Sequence, residues 1–239
     1  MMKTLVLIWL AIVLIGCAFV GSPGKPAPQI QDSAYEPIDR KMSAPADYGL
    51  YSYFVTKASN ENARRFLNAI FTTTGSVSGA RYSRENINII IIPVNSYSKS
   101  KREMRDARQF PERTVAKVMG DLYDFGQASF LIGIVCTPER GVTVMAACGS
   151  TDRVGPFLVS SNHPITDASS VDQKMLILNL ENKPPAAIEE IAAAYRRQIL
   201  RKDFADRVEV DGWRLGALNV LLNAASLLPG IKKAFVGAE

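Results

Sequence analysis

The only uninterrupted apolar run in this chain stands at its start. Lys3 supplies one positive charge, and residues 4–16 (TLVLIWLAIVLIG) then carry none. A single charge ahead of roughly a dozen apolar residues is the plan of a secretory signal. A bilayer-spanning helix needs about 20 residues, which this run reaches only by continuing through Cys17, Ala18, Phe19 and Val20. Gly21-Ser22-Pro23-Gly24-Lys25-Pro26 breaks the chain immediately afterwards. A polytopic membrane protein is therefore excluded. With 47% hydrophobic and 21% charged residues, the 239-residue chain is not disordered or collagen-like, and its 3 cysteines do not make a disulfide-dense miniprotein.

The run ends in Leu14-Ile15-Gly16-Cys17, which resembles the lipobox of bacterial lipoproteins: a leucine three residues before a cysteine, with a small residue directly preceding it. The resemblance implies a diacylglyceryl thioether on Cys17, cleavage after Gly16, and Cys17 as the acylated mature N-terminus. Several acyl chains hold well, since each buried methylene contributes about 0.8 kcal/mol. Ala18 stands where an acidic residue often retains such proteins in the inner membrane, so the resemblance implies an outer-membrane anchor facing the periplasm. The alternatives are an ordinary signal peptide or an uncleaved anchor, with Cys17 incidental. Loss of residues 1–16 removes Lys3, taking the formal charge from +5 to +4. That mild excess, together with export, argues against nucleic acid as a partner.

Residues 17–47 hold Pro23, Pro26, Pro28, Pro37 and Pro45. They predict an extended tether, although Tyr35 and Ile38 offer docking points. Residues 48–239 then suffice for one domain. Strands are expected over Tyr48–Thr56, Ile87–Val94, Phe130–Cys136, Val142–Cys148, Phe157–Ser160 and Lys174–Leu180. Helices are expected from Ser59-Asn60-Glu61, from Pro111 to Asp124, from Pro184-Pro185 to Lys202, and over 211–228. That order implies an α/β or α+β fold, a mixed sheet with packed helices.

Chemistry-bearing groups are few. Cys136 and Cys148 are the two thiols left once Cys17 is reserved, and in an exported domain they are disulfide candidates. If they flank a hairpin loop at 138–141, however, they lie about 16 Å apart, beyond the roughly 7 Å a disulfide tolerates. His163, the one histidine, reads as a polar loop residue. Gly75-Ser76-Val77-Ser78-Gly79 puts valine where a nucleophile elbow needs serine. One histidine and separated thiols predict no metal site, and the absence of any P-loop or glycine-rich dinucleotide motif predicts no cofactor. Glu189 and Glu190 point about 100° apart on a helix, poorly placed for joint acid–base work.

Two basic or apolar clusters are candidate contact surfaces. Lys101, Arg102, Arg105 and Arg108, near Lys99, form a basic group; if helical, positions 101, 105 and 108 share a face suited to an anionic surface. Trp213, Leu218 and Leu222, followed by Lys232 and Lys233, lie on an apolar C-terminal segment that is a candidate for partner or membrane contact. The expectation is a membrane-anchored envelope lipoprotein with a non-enzymatic structural or interaction role, its partners the bilayer through Cys17 and another envelope protein. The alternative is a periplasmic hydrolase acting on cell-wall or lipid material, since carboxylate-based sites leave no motif.

Overall fold

Ile87–Pro93 (β4) is the most apolar segment of the folded region, and every one of its residues is buried. A strand of that kind must be covered on both faces, and the sheet grows outward from it. The computed structural model describes residues 29–140, 148, 154–166, 173 and 175–200. With Asp32–Ile38 (β1), Leu50–Val55 (β2), Gly75–Ser76 (β3), Phe157–Ser161 (β5) and Leu176–Asn179 (β6), β4 forms one sheet ordered β3-β1-β4-β2-β5-β6. Strands β3, β1, β4 and β2 are parallel, while β5 runs antiparallel to both β2 and β6. The protein is thus a mixed α/β sheet with packed helices, the class the sequence predicts.

Five α-helices flank the sheet among the described residues: Glu61–Thr73 (α1), Tyr97–Met104 (α2), Pro111–Lys117 (α3), Phe125–Val135 (α4) and Ile188–Ile199 (α5). Asn60 caps α1 by accepting from the Ala63 N–H at 2.8 Å, the helix start expected there. Residues paired across strands share a face, so Ser33, Tyr35, Ile90, Ser52, Phe54, Leu158 and Ser160 look one way. Helices α1 and α5 pack together over that face: Phe66 stacks on Phe54, Phe71 meets the edge of Tyr35, and Tyr195 reaches Ser52. Helix α4 packs on β2 and β4 from the opposite side, where Tyr53, Ile89, Ile91 and Val159 are buried.

Two expectations are corrected here. The segment read as tether supplies β1, paired with β4 along its whole length, so the domain begins near Ile30 rather than Tyr48. Proline content misled because Pro37 sits where proline is tolerated. Val94 N–H donates to Ile38 C=O at 2.9 Å, which turns the backbone groups of Ile38 and Glu36 toward β4 and those of Tyr35 and Pro37 outward. Tyr35 pairs with Ser76, and Pro37, which has no N–H to leave unpaired, occupies the sheet edge beyond it.

The second correction concerns Phe130–Cys136, which is the end of helix α4 and not a hairpin strand. A short apolar run is ambiguous between strand and buried helix. The cap decides it: Asp124 accepts from the Gln127 N–H at 2.8 Å, and Asp124-Phe125-Gly126-Gln127 has capping-box spacing. Residues 142–147, expected as the partner strand, lie outside the described residues, as do 1–28 and 201–239. The sites proposed at Cys17 and at Trp213, Leu218, Leu222, Lys232 and Lys233 therefore lie outside them too.

Candidate functional site

Helix α2 lies against the sheet edge and opens a cleft of about 260 Å³ beside β1 and the turn that follows β3. Tyr35, Pro37 and Met104 form its apolar wall. Glu36, Lys101 and Arg105 are its charged groups, and Ser76 and Ser78 close it with hydroxyls 2.9 Å apart. The Glu36 side chain is only 10% exposed. Its Oε1 accepts from Tyr97 Oη at 2.8 Å and from Lys101 Nζ at 3.2 Å, while Lys101 also donates to Tyr97 Oη. Tyr97 and Lys101 are one helical turn apart, the spacing that lets both reach one carboxylate. The hydrogen bond to Tyr97, then the charge of Glu36, raise the Lys101 pKa above its usual value, so the ammonium persists there at neutral pH.

The sequence-predicted basic cluster is only partly assembled. Helix α2 ends at Met104, so positions 101, 105 and 108 do not share one helical face. Lys101 and Arg105 meet in the cleft, Arg102 turns to Glu103 at 3.7 Å, and Arg108 is exposed and lines no part of it. Glu36 and Tyr97 were not singled out in the sequence. Glu36 fell in the supposed tether, and the Tyr97–Lys101 spacing is the signal that finds its partners.

A second polar cluster lies at the centre of the sheet. Ser33 on β1, Asn88 on β4, Ser52 on β2 and Ser160 on β5 form a stripe across four strands, each at most 4% exposed. Tyr195 Oη, from α5, bridges Ser52 Oγ at 2.6 Å and Ser160 Oγ at 2.7 Å. Ser52 Oγ donates to Asn88 Oδ1 at 2.6 Å. Burial raises the Tyr195 pKa, opposed by its bonds to Ser160 and Ser52, so the phenol stays protonated. Every member has a partner, and the cluster is sealed: its chemistry is to fix α5 on the sheet.

The crevice beyond the carboxyl ends of parallel strands, where open α/β sheets usually bind ligands, is filled by the chain itself. Tyr123 bridges to Val94, and its hydroxyl donates to Phe54 C=O at 3.0 Å. Asp124 takes a two-pronged ion pair from Arg40, both contacts 2.7 Å. A shallow furrow of about 360 Å³ between α1, α3 and α5 carries Glu112 and Glu189, the latter 3.7 Å from Arg65.

Cys136 and Cys148 are joined, with Cα atoms 5.9 Å apart. Cys136 caps the end of α4 instead of lying on a hairpin strand, so the separation of about 16 Å expected of a hairpin does not arise. His163 sits in the loop after β5, its carbonyl accepting from Gln173 at 3.0 Å. Among the described residues no group of three or more His, Cys, Asp or Glu side chains is placed to hold a metal. No helix among them is long and apolar enough to cross a membrane. Comparison with protein-family models, with curated proteins and with solved structures gave no match in any of the three.

Proposed function

We propose that this chain is a lipid-anchored component of a bacterial cell envelope, acylated at Cys17, whose α/β domain works by contact with another envelope protein. The observation that carries the reading is how the three cysteines are used. One stands in the lipobox-like Leu14-Ile15-Gly16-Cys17, and the other two are bonded to each other. A structural disulfide belongs to an oxidising compartment, which is where a lipobox directs a chain. The outward side of α4 supports a contact role. The helix contains no charged residue, Phe130 is 57% exposed, and Gly126 and Gly133 flank it on the same exposed side.

Because the domain starts at Ile30, only the twelve residues from Ala18 to Gln29 separate it from the anchor. They span at most about 40 Å at about 3.4 Å each. The domain therefore works close to the bilayer that holds it. Photo-crosslinking groups placed at Phe130 and at Arg108 in living cells test the contact role. A discrete protein adduct at Phe130, absent at Arg108, is expected; equal and diffuse labelling at both would overturn it.

The hydrolase alternative has its own place in the structure, the furrow carrying Glu112 and Glu189. If that furrow were catalytic, Glu112→Gln would abolish cell-wall or lipid turnover by the purified protein. The interaction reading expects the Phe130 adduct to survive that change.

A further inference from the structure

The cleft beside β1 holds two sets of polar groups of opposite character with bonding capacity to spare. Glu36 Oε1 is saturated by Tyr97 and Lys101, but Oε2 accepts no hydrogen bond from any described residue. It belongs to a carboxylate whose side chain is nine-tenths buried in the wall. Oε2 itself is not sealed from solvent, so it stays open to a donor from a ligand. On the other side, the Arg105 guanidinium makes no ion pair or side-chain hydrogen bond among the described residues. Lys101 has a third ammonium proton beyond the two given to Tyr97 and Glu36, and the Ser76–Ser78 pair leaves one hydroxyl proton to donate.

Glu36 and Arg105 line the same cleft yet are not paired within 4 Å. A space of about 260 Å³ is large enough for one small molecule that offers a donor at one end and an anion at the other. Simple anions match only half of this arrangement. Lys101 is already paired with Glu36, so a simple anion would meet the Glu36 carboxylate on the same wall. The volume lies just under the range of drug-sized pockets, and the apolar wall of Tyr35, Pro37 and Met104 suits a short aliphatic group.

We propose that this cleft binds a small α-amino acid as a zwitterion. Its ammonium donates to Glu36 Oε2, its carboxylate lies on Arg105 with help from Lys101 and the Ser76/Ser78 hydroxyls, and its side chain rests on Pro37 and Met104. The site is independent of the anchor and of any protein partner.

The test is a titration of the purified full-length protein in detergent with L-alanine, D-alanine, acetate and ethylammonium at constant ionic strength. It follows the backbone amides of Ser76–Gly79 and the Arg105 side-chain N–H by NMR. Saturable shifts at these positions with at least one alanine enantiomer are expected, with acetate and ethylammonium at least tenfold weaker. Arg105→Gln, a surface change that leaves the core intact, weakens alanine at least tenfold, while Arg108→Gln does not. Glu36→Gln is a second probe and selectively loses the advantage of alanine over acetate. Shifts that never saturate, acetate binding as tightly as alanine, or equal losses from the Arg105 and Arg108 changes would each overturn the proposal.

Discussion

At the scale of single residues, two positions carry more than their size suggests. A Cβ on Gly49 would collide with the Glu85 carbonyl oxygen and come within 2.7 Å of Ile30 Cδ1. Gly49 N–H also donates to Arg84 C=O at 3.2 Å, so the backbone cannot back away cheaply. Gly49→Ala should destabilise the domain by about 3 kcal/mol, the upper end of overpacking costs, measured by urea unfolding. Asp124 is the second such position. The hydrogen bond from Arg40 holds its carboxyl below the ordinary 3.8 against the opposing effect of burial. Its folded value is therefore lower than its unfolded one, and its stabilisation is complete above about pH 5 and lost as pH falls through the folded value. Asp124→Asn should lower stability at pH 7, and the gap to the parent should close below about pH 4, as read from denaturation across that range. These effects were hidden in the sequence because they depend on which distant backbone passes close by, not on local pattern.

Elements were more legible than residues, and the failures share a cause. The apolar run of β4, the cap at Asn60 and the stripe of Ile188, Tyr195 and Ile199 on α5 carry their own local signals. Strand β1 does not, because its edge position admits Pro37 and a buried Glu36 that no strand pattern anticipates. Helix α4 reads as a strand because its all-round apolar sequence lacks helical periodicity. The central polar stripe had a readable trace, one polar residue in each of YSYF, INII and LVSS, but only the register brings Ser52, Asn88 and Ser160 together. Tyr195→Phe removes the hydroxyl that joins β2, β5 and α5, leaving Ser52 and Ser160 buried with one partner fewer. It should cost about 1–2 kcal/mol, and hydrogen exchange should show faster opening of α5 than of β4. Reduction of the Cys136–Cys148 bond, which closes a separation of 12 residues, should lower stability by up to about 3 kcal/mol, seen as a lower denaturation midpoint in dithiothreitol.

At the scale of the whole molecule, the described core leaves few openings. The usual α/β ligand crevice is filled by Tyr123, Asp124 and Arg40, and the polar groups at the sheet centre satisfy one another. What the described surface offers instead lies at its margins: the cleft at Glu36 and Arg105, and the outer side of α4 around Phe130. Under the proposed acylation at Cys17, a domain that begins near Ile30 would hold both of them close to the bilayer. The proposed anchor is open to mass spectrometry of the mature protein from a diderm host, run beside Cys17→Ser. An N-terminus at Cys17 carrying diacylglyceryl mass is expected in the parent, with the variant unacylated and released from the outer-membrane fraction. An unmodified Cys17, or a variant equally membrane-bound, would contradict it.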